Sequence, residues 1–213
     1  MTAGSRSPSP SKISSFLEDC GVTAHPLAET LIEHLRGAPE IRVLEFACGA
    51  GRNTRALRGT GFDVVAIDER TAASGAPFAG VHGAFAAAIS THGLLHGTPA
   101  IIAGHVSQIA RLLAESGVLY ATFGSIRDAR FGQGERIDAS TFAPAEGDER
   151  GVAHAFFTRD QVRALLDPYF AIESLEEHDA DEIAGSWAHR KRPLSGAVHW
   201  FAVARSLPAP KAR

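Results

Sequence analysis

The sequence predicts an α/β domain whose sheet is largely parallel. Two observations predict it: apolar strand patterns alternate with helical ones, and a glycine-bearing turn joins the first strand directly to a helix. A third sets the sheet's limits. Only fifteen residues, 69–83, separate the second strand from the third. They leave room for one short crossover, but not for a helix, a further strand and another connection. The sheet is therefore expected to be reduced in the region 69–83.

Residues 1–12, MTAGSRSPSPSK, are rich in Ser and Pro, lack the apolar core of a signal peptide and read as a disordered tail. HPLAETLIEHLRG (25–37) predicts a helix: Pro26 suits the first turn, Leu27, Leu31 and Leu35 recur every four residues, and Gly37 can end it. IRVLEF (41–46) is the first buried strand, GRNTRALRG begins the helix after the turn, and DVVAI (63–67) is the second strand, ending at Asp68. AFAAAIST (84–91) is the third strand. TPAIIAGHVSQIARLLAESG (98–117) reads as a helix with Thr98 as N-cap and Pro99 in the first position.

GVLYATFGS (117–125) is a strand of apolar and β-branched residues. The polar connection after it, 126–157, is long enough to be functional and is expected to be a mobile lid loop, with Phe156 and Phe157 anchoring it. In TRDQVRALLD, Thr158 and Gln161 make a capping-box pattern. YFAIESLEE and AVHWFAVARS close the chain as strands, so 13–206 reads as one domain and 207–213 as a flexible tail.

Composition narrows the function classes. An apolar share of 45% and a charged share of 21% over 213 residues suit one globular domain. A formal charge of −3 argues against nucleic-acid binding by broad electrostatics. The longest apolar region, 84–104, is broken by histidines, glycines and a proline, so no membrane span is expected. Cys20 and Cys48 lack metal-like spacing, and a reduced, cytoplasmic compartment is expected.

The chemistry concentrates in VLEFACGAGRNTRAL (43–57). Gly49 and Gly51 let the backbone approach a ligand closely, and the helix N-terminus beyond them offers unpaired N–H groups. Glu45 would repel a pyrophosphate but suits a cation. Thr54 stands where a dinucleotide fingerprint wants its third glycine, and Asp68 is placed to accept hydrogen bonds from ribose hydroxyls. A nucleoside with a cationic centre and no phosphate satisfies all three, and S-adenosylmethionine fits. A nicotinamide-dependent oxidoreductase is disfavoured by Glu45 and Thr54.

On these residues the sequence resembles the class I S-adenosylmethionine-dependent methyltransferases. VLEFACGAG matches their first motif, hydrophobics–acid–x–Gly–x–Gly–x–Gly, with Ala47 in place of the first glycine. The resemblance implies a Rossmann-like three-layer sandwich whose seven-stranded, mostly parallel sheet has an antiparallel C-terminal strand, here AVHWFAVARS. It implies a cofactor set of Glu45, Ala47, Gly49, Gly51, Asp68 and Thr91, the turn cradling the methionine part and Asp68 the ribose. STHGLLHGTP, LYATFGSIRDARFGQG and GDERGVAHAFF further resemble small-molecule methyltransferases of the tellurite-resistance type. The methyl group of Ala47 and the short 69–83 segment set the alternative: a non-enzymatic relative with weakened cofactor binding.

On the acceptor side, His92 and His96 follow the third strand, at the edge where open α/β sheets bind ligands, and are the catalytic candidates. A soft acceptor such as a thiolate needs no base. Their spacing of four permits a metal pair on a helix, but no carboxylate or cysteine motif nearby offers a third ligand, so no metal is expected. Arg127 and Arg130 in the lid suit an oxyanion, and His154 joins them as a substrate-binding candidate, though its spacing is not distinctive. Cys48 reads as a small buried residue rather than a nucleophile.

Overall fold

The computed structural model describes residues 24–38, 40–68, 76–147, 149–181 and 196–208. The expected tail at 1–12, Cys20, and all but the first two residues of 207–213 lie outside them. Helix α1 (Pro26–His34) opens the described chain, its N-cap being His25, whose Nδ1 accepts from the Leu27 N–H at 3.1 Å. Strand β1 (Arg42–Phe46), helix α2 (Arg52–Gly59) and strand β2 (Asp63–Ile67) follow, then β3 (Phe85–Ser90) and a 3₁₀ turn at Gly93–Leu95. Helix α3 (Pro99–Leu112) leads into β4 (Leu113–Ser125). Short strands β5 (Glu135–Arg136), β6 (Thr141–Ala143) and β7 (His154–Phe157) precede helix α4 (Arg159–Leu166), β8 (Phe170–Asp179) and β9 (Val198–Ser206). The capping box forms: Thr158 accepts from the Gln161 N–H, and the Gln161 side chain accepts from the Thr158 N–H.

The main sheet runs β2-β1-β3-β4-β9-β8. Neighbours from β2 to β4 pair in parallel, whereas β9 runs antiparallel to both β4 and β8. Among the described residues β2 stands at one end of the strand order, as the short 69–83 segment predicts. Among the described residues nothing pairs with the free side of β2, where a further strand of the implied sheet would stand.

Side chains alternate across the strands, as a pleat of period two requires. Val43, Ala87, Ile89 and Tyr120 face α1 and α2 through Leu31, Ile32 and Leu57. Leu44, Phe46, Leu119 and Phe123 face α3 and α4 through Ile102, Val106 and Leu166. Each such side chain, once fully buried, contributes roughly 1.5–3 kcal/mol. The result is three layers with two cores.

Two expectations are corrected. The segment 113–116 is strand, not helix: Leu113 is extended and pairs with Phe85, and Ser116 takes a left-handed φ of 62°. Nothing in LAES stops a helix locally, so tertiary pairing decided against propensity. The connection 126–157 is also more than a loop. Strands β5 and β6 form a hairpin, β6 pairs with β7, and β7 runs parallel to the last two residues of β4. Phe156 and Phe157 are buried there and anchor the segment.

Candidate functional site

Strand β1 delivers Glu45 to its carboxyl end, and the chain then turns through left-handed residues: Ala47 at φ 59°, Gly49 at 50° and Gly51 at 74°. The Cys48 N–H donates to the Ile67 carbonyl at 2.9 Å. That bond ties the turn to the end of β2 and sets Asp68 beside it. Among the described residues a Cβ added at Gly49 would meet nothing within 4 Å, and α2 follows Gly51 without a side-chain cap. Uncapped N–H groups suit the polar chain of a ligand.

Glu45 lies beneath the turn, only 2% exposed, and accepts a hydrogen bond from the Thr54 hydroxyl. Thr54, standing where a third glycine would be, therefore satisfies the buried acid. Burial pushes the Glu45 pKa up to about 7, against the opposing hydrogen bond of Thr54 and the charges of Arg52 and Arg58. Burial, then the charges of Glu45 and Asp68, raise the Cys48 thiol, which disfavours a nucleophilic role. Thr91 is buried and accepts from Asn53 Nδ2 at 2.9 Å, while Asn53 Oδ1 accepts from the His25 N–H at 2.9 Å. One asparagine thus joins α1, α2 and the end of β3.

The other half of the edge is built of histidines. His92 has φ 71°, its N–H donates to Thr122 Oγ1 at 2.8 Å, and its ring lies 5.9 Å from that of His25 and 5.0 Å from that of His199. His199 enters at the start of β9, opposite Gly124. Its Nε2 sits 3.1 Å from Arg130 Nη2, which can only donate, so Nε2 accepts and the ring proton is on Nδ1. Burial depresses all three. His25 falls to about 3, with Arg52 contributing, His199 to about 4, with Arg130 contributing, and His92 well below its ordinary value. Near neutral pH these rings carry no charge.

Arg130 is buried, and its charge is answered within the fold. Its Nε and Nη2 each donate to Asp128 at 2.8 Å, and Nη1 lies 3.6 Å from Glu149 Oε2. Asp128 also accepts from the Val198 N–H at 3.0 Å, which fixes the start of β9. Glu149 Oε2 is 3.0 Å from His154 Nε2, and its Oε1 is 3.6 Å from His96 Nε2. Burial alone would raise the Glu149 pKa, but the contacts with His154 and His96 hold it well below the usual carboxylate range. Beside this group a cavity of about 390 Å³ opens between Arg130, Gln133, Phe142, His154 and Phe156.

The structure thus brings Glu45, Ala47, Gly49, Gly51, Asp68 and Thr91 to one half of the edge, and Arg130 and His154 to the other. His92 and His96 part company: a 3₁₀ turn separates them, and His96 faces His154, ring centroids 4.8 Å apart. The guanidinium of Arg127 is exposed and paired with Glu177 at 2.7 Å, and Arg127 does not line the cavity beside Arg130. Sequence reasoning missed His25, Asn53, Asp128, Glu149 and His199. Only Asp128 had a local signal, an acid two residues before an arginine it can bond.

The mostly parallel sheet with its antiparallel C-terminal strand has a Rossmann-like fold shared with solved S-adenosylmethionine-dependent methyltransferases. No family model and no curated protein matches the chain. Among solved structures it is similar to a 1,6-didemethyltoxoflavin-N1-methyltransferase of Burkholderia thailandensis with bound substrate and S-adenosylhomocysteine. Identity is 18% and TM-score 0.58, over 97% of this chain and 94% of that one. A magnesium protoporphyrin IX methyltransferase of Synechocystis with bound S-adenosylmethionine matches at 13% identity and TM-score 0.52, covering 95% of this chain and 86% of its own. An S-adenosylmethionine-dependent methyltransferase of Clostridium acetobutylicum matches at 11% and 0.53, covering 93% and 99%. At these identities the likeness is one of fold. Among the described residues no helix is long and apolar enough to cross a membrane.

Proposed function

We propose that this chain transfers a methyl group from S-adenosylmethionine to a small-molecule acceptor, a thiol or an oxyanion. The observation that carries the reading is the bond from the Cys48 N–H to the Ile67 carbonyl, which sets an acid–glycine turn beside Asp68 at the ligand-binding edge. Ala47, Gly49 and Gly51 shape the turn over which the methionine part lies, Asp68 receives the ribose hydroxyls, and Glu45 and Thr91 support the turn from beneath. Bound there, the cofactor supplies an activated methyl on a cationic sulfur. The protein's task is to hold the acceptor in line and exclude water, and positioning supplies roughly 7–11 kcal/mol of the barrier. His92, half-buried at the end of β3, is the group placed to take a proton from an acceptor that carries one, worth about 10²–10⁴-fold. The resemblance read from residues 90–99, 119–134 and 147–157 to tellurite-resistance-type enzymes suits a soft acceptor, which dispenses with the base.

A melt with and without S-adenosylhomocysteine tests the reading. Ligand at 100 times its dissociation constant adds about 2.7 kcal/mol of stability, and Asp68→Ala lowers the affinity. A shift with NADH and none with S-adenosylhomocysteine overturns it. No shift with either favours the alternative, a non-enzymatic relative, to which the strained Ala47 turn points. Labelled-methyl transfer to a panel of thiols, oxyanions and carboxylates identifies the acceptor.

A further inference from the structure

The geometry points to a second ligand site: a divalent transition-metal ion of the zinc class, held by His96, Glu149 and His154 where the lid meets the sheet edge. One ligand atom from each residue lies within 4.8 Å of the others. Zinc bonds of ~2.0–2.2 Å in tetrahedral array put ligand atoms roughly 3.3 Å apart. His154 Nε2 lies 3.0 Å from Glu149 Oε2 and His96 Nε2 lies 3.6 Å from Oε1, so the one carboxylate faces both rings at distances near that value.

The tautomer of His154 carries the argument further. Its Nδ1 sits 2.8 Å from the Val152 carbonyl, which can only accept, so Nδ1 carries a proton. Its Nε2 then faces a Glu149 oxygen 3.0 Å away. That gap accommodates a cation shared between ring and carboxylate, and the candidates are a proton and a metal ion. A backbone carbonyl orienting the far nitrogen is the usual support of a metal-bound histidine. Position is fixed by the fold as well: His96 and His154 form an isolated antiparallel bridge, and the Gly97 N–H donates to the Ala153 carbonyl at 2.7 Å.

Two imidazoles and one carboxylate favour zinc-like ions over magnesium or calcium, which prefer all-oxygen sets. Three protein ligands leave a fourth position, and since His154 lines the cavity beside Arg130, that position is available on the cavity side. An oxyanion or thiolate is the chemistry it would accept. Arg130 also approaches Glu149, but a carboxylate has about four lone-pair sites and serves both cations. None of these residues belongs to the acid–glycine turn, so failure of cofactor binding leaves this inference standing.

The test is calorimetric titration of the full chain with Zn²⁺ at pH 8, where protons compete least, with Co²⁺ absorption reporting the coordination. One ion per chain is expected, with affinity lowered by at least ~10–100-fold in both His154→Ala and Glu149→Gln, the loss usual even for an outer partner. Should His154→Ala fail to fold, the nearly isosteric Glu149→Gln decides, its melt recorded without metal. No ion bound by the wild-type chain would make the group a proton-bridged clamp and overturn the proposal. Equal binding by wild type and Glu149→Gln would also overturn it, since the ion would then sit elsewhere.

Discussion

Beside β1 and β2 the edge is furnished mainly by one stretch of chain, residues 45–54, with Thr91 bonded to Asn53 and the end of β2 tied to the turn through the Cys48 N–H. Beside β4 and β9 it is furnished by side chains from distant segments: His25, His92, Arg130, Glu149 and His199. The first half keeps one buried carboxyl, Glu45, whose pKa burial raises to about 7. The second buries many titratable groups that answer one another. A change in the first half should therefore alter ligand affinity while sparing the fold, and a change in the second should endanger the fold itself.

Acid should separate the halves most. His25 and His199 have folded pKa values of about 3 and about 4 against an ordinary 6.5. The unfolded chain binds their protons first, so their contribution is intact above pH 6.5 and is lost as pH falls toward 4. The loss by pH 4 is on the order of 7 kcal/mol, and chemical denaturation at stepped pH measures it. A flat stability profile across that window would contradict the buried, neutral histidines. Next in size, Asp128→Ala leaves Arg130 buried beside neutral His199, and breaking such a pair costs about 3–5 kcal/mol. A denaturant midpoint close to wild type would show that the second half tolerates change as the first does.

Glu45→Gln should act in the opposite direction. The folded pKa of Glu45 is raised to about 7 from 4.5, so its penalty is absent below 4.5 and complete above 7. At pH 8 the variant should be more stable than wild type by up to roughly 3 kcal/mol, with the gain fading toward pH 5. Affinity for a cationic cofactor should rise with pH through 7 in wild type and stay level in the variant. A variant less stable at pH 8 would mean that Glu45 already has a strong cationic partner.

The smallest effect concerns the turn's odd residue. A Cβ on Gly93 would come 2.3 Å from the Ala47 Cβ and 2.7 Å from Ser90 Oγ. Gly93→Ala should cost about 1–3 kcal/mol by overpacking. Ala47→Gly in the same chain should restore part of it, and a double-mutant cycle on melting data reads the coupling. Additive effects would mean that the two loops do not share that space.

What the sequence disclosed follows the same division. Acid, glycines and Asp68 were legible because a turn's requirements are local: left-handed φ asks for glycine, and a strand end fixes where the next residue stands. The α/β class was legible from alternation, and the short 69–83 segment anticipated a sheet that, among the described residues, ends at β2. Glu149 and His199 were not legible, since nothing in GDERGV or AVHW marks a ligand or a buried base until β7 and β9 are in place. The His92–His96 spacing even misled, because the 3₁₀ turn sends the two rings to different neighbours. Arg127 and Arg130 read alike as lid cations, and only burial shows one at the surface and the other in a network.

Because β9 runs against its neighbours, it is the strand that joins β8 to the rest of the sheet, and it carries His199 to the edge at its start rather than its end. The ribosome delivers a chain from its amino end, so every partner of β9 emerges before it does. Until then β8 has no described neighbour to dock on, and Asp128 cannot yet grip the Val198 N–H. The turn beside β1 and β2 can close early in synthesis, while the histidine half waits for nearly the last segment described. Ligand binding by nascent chains stalled before residue 198 would then report the turn alone.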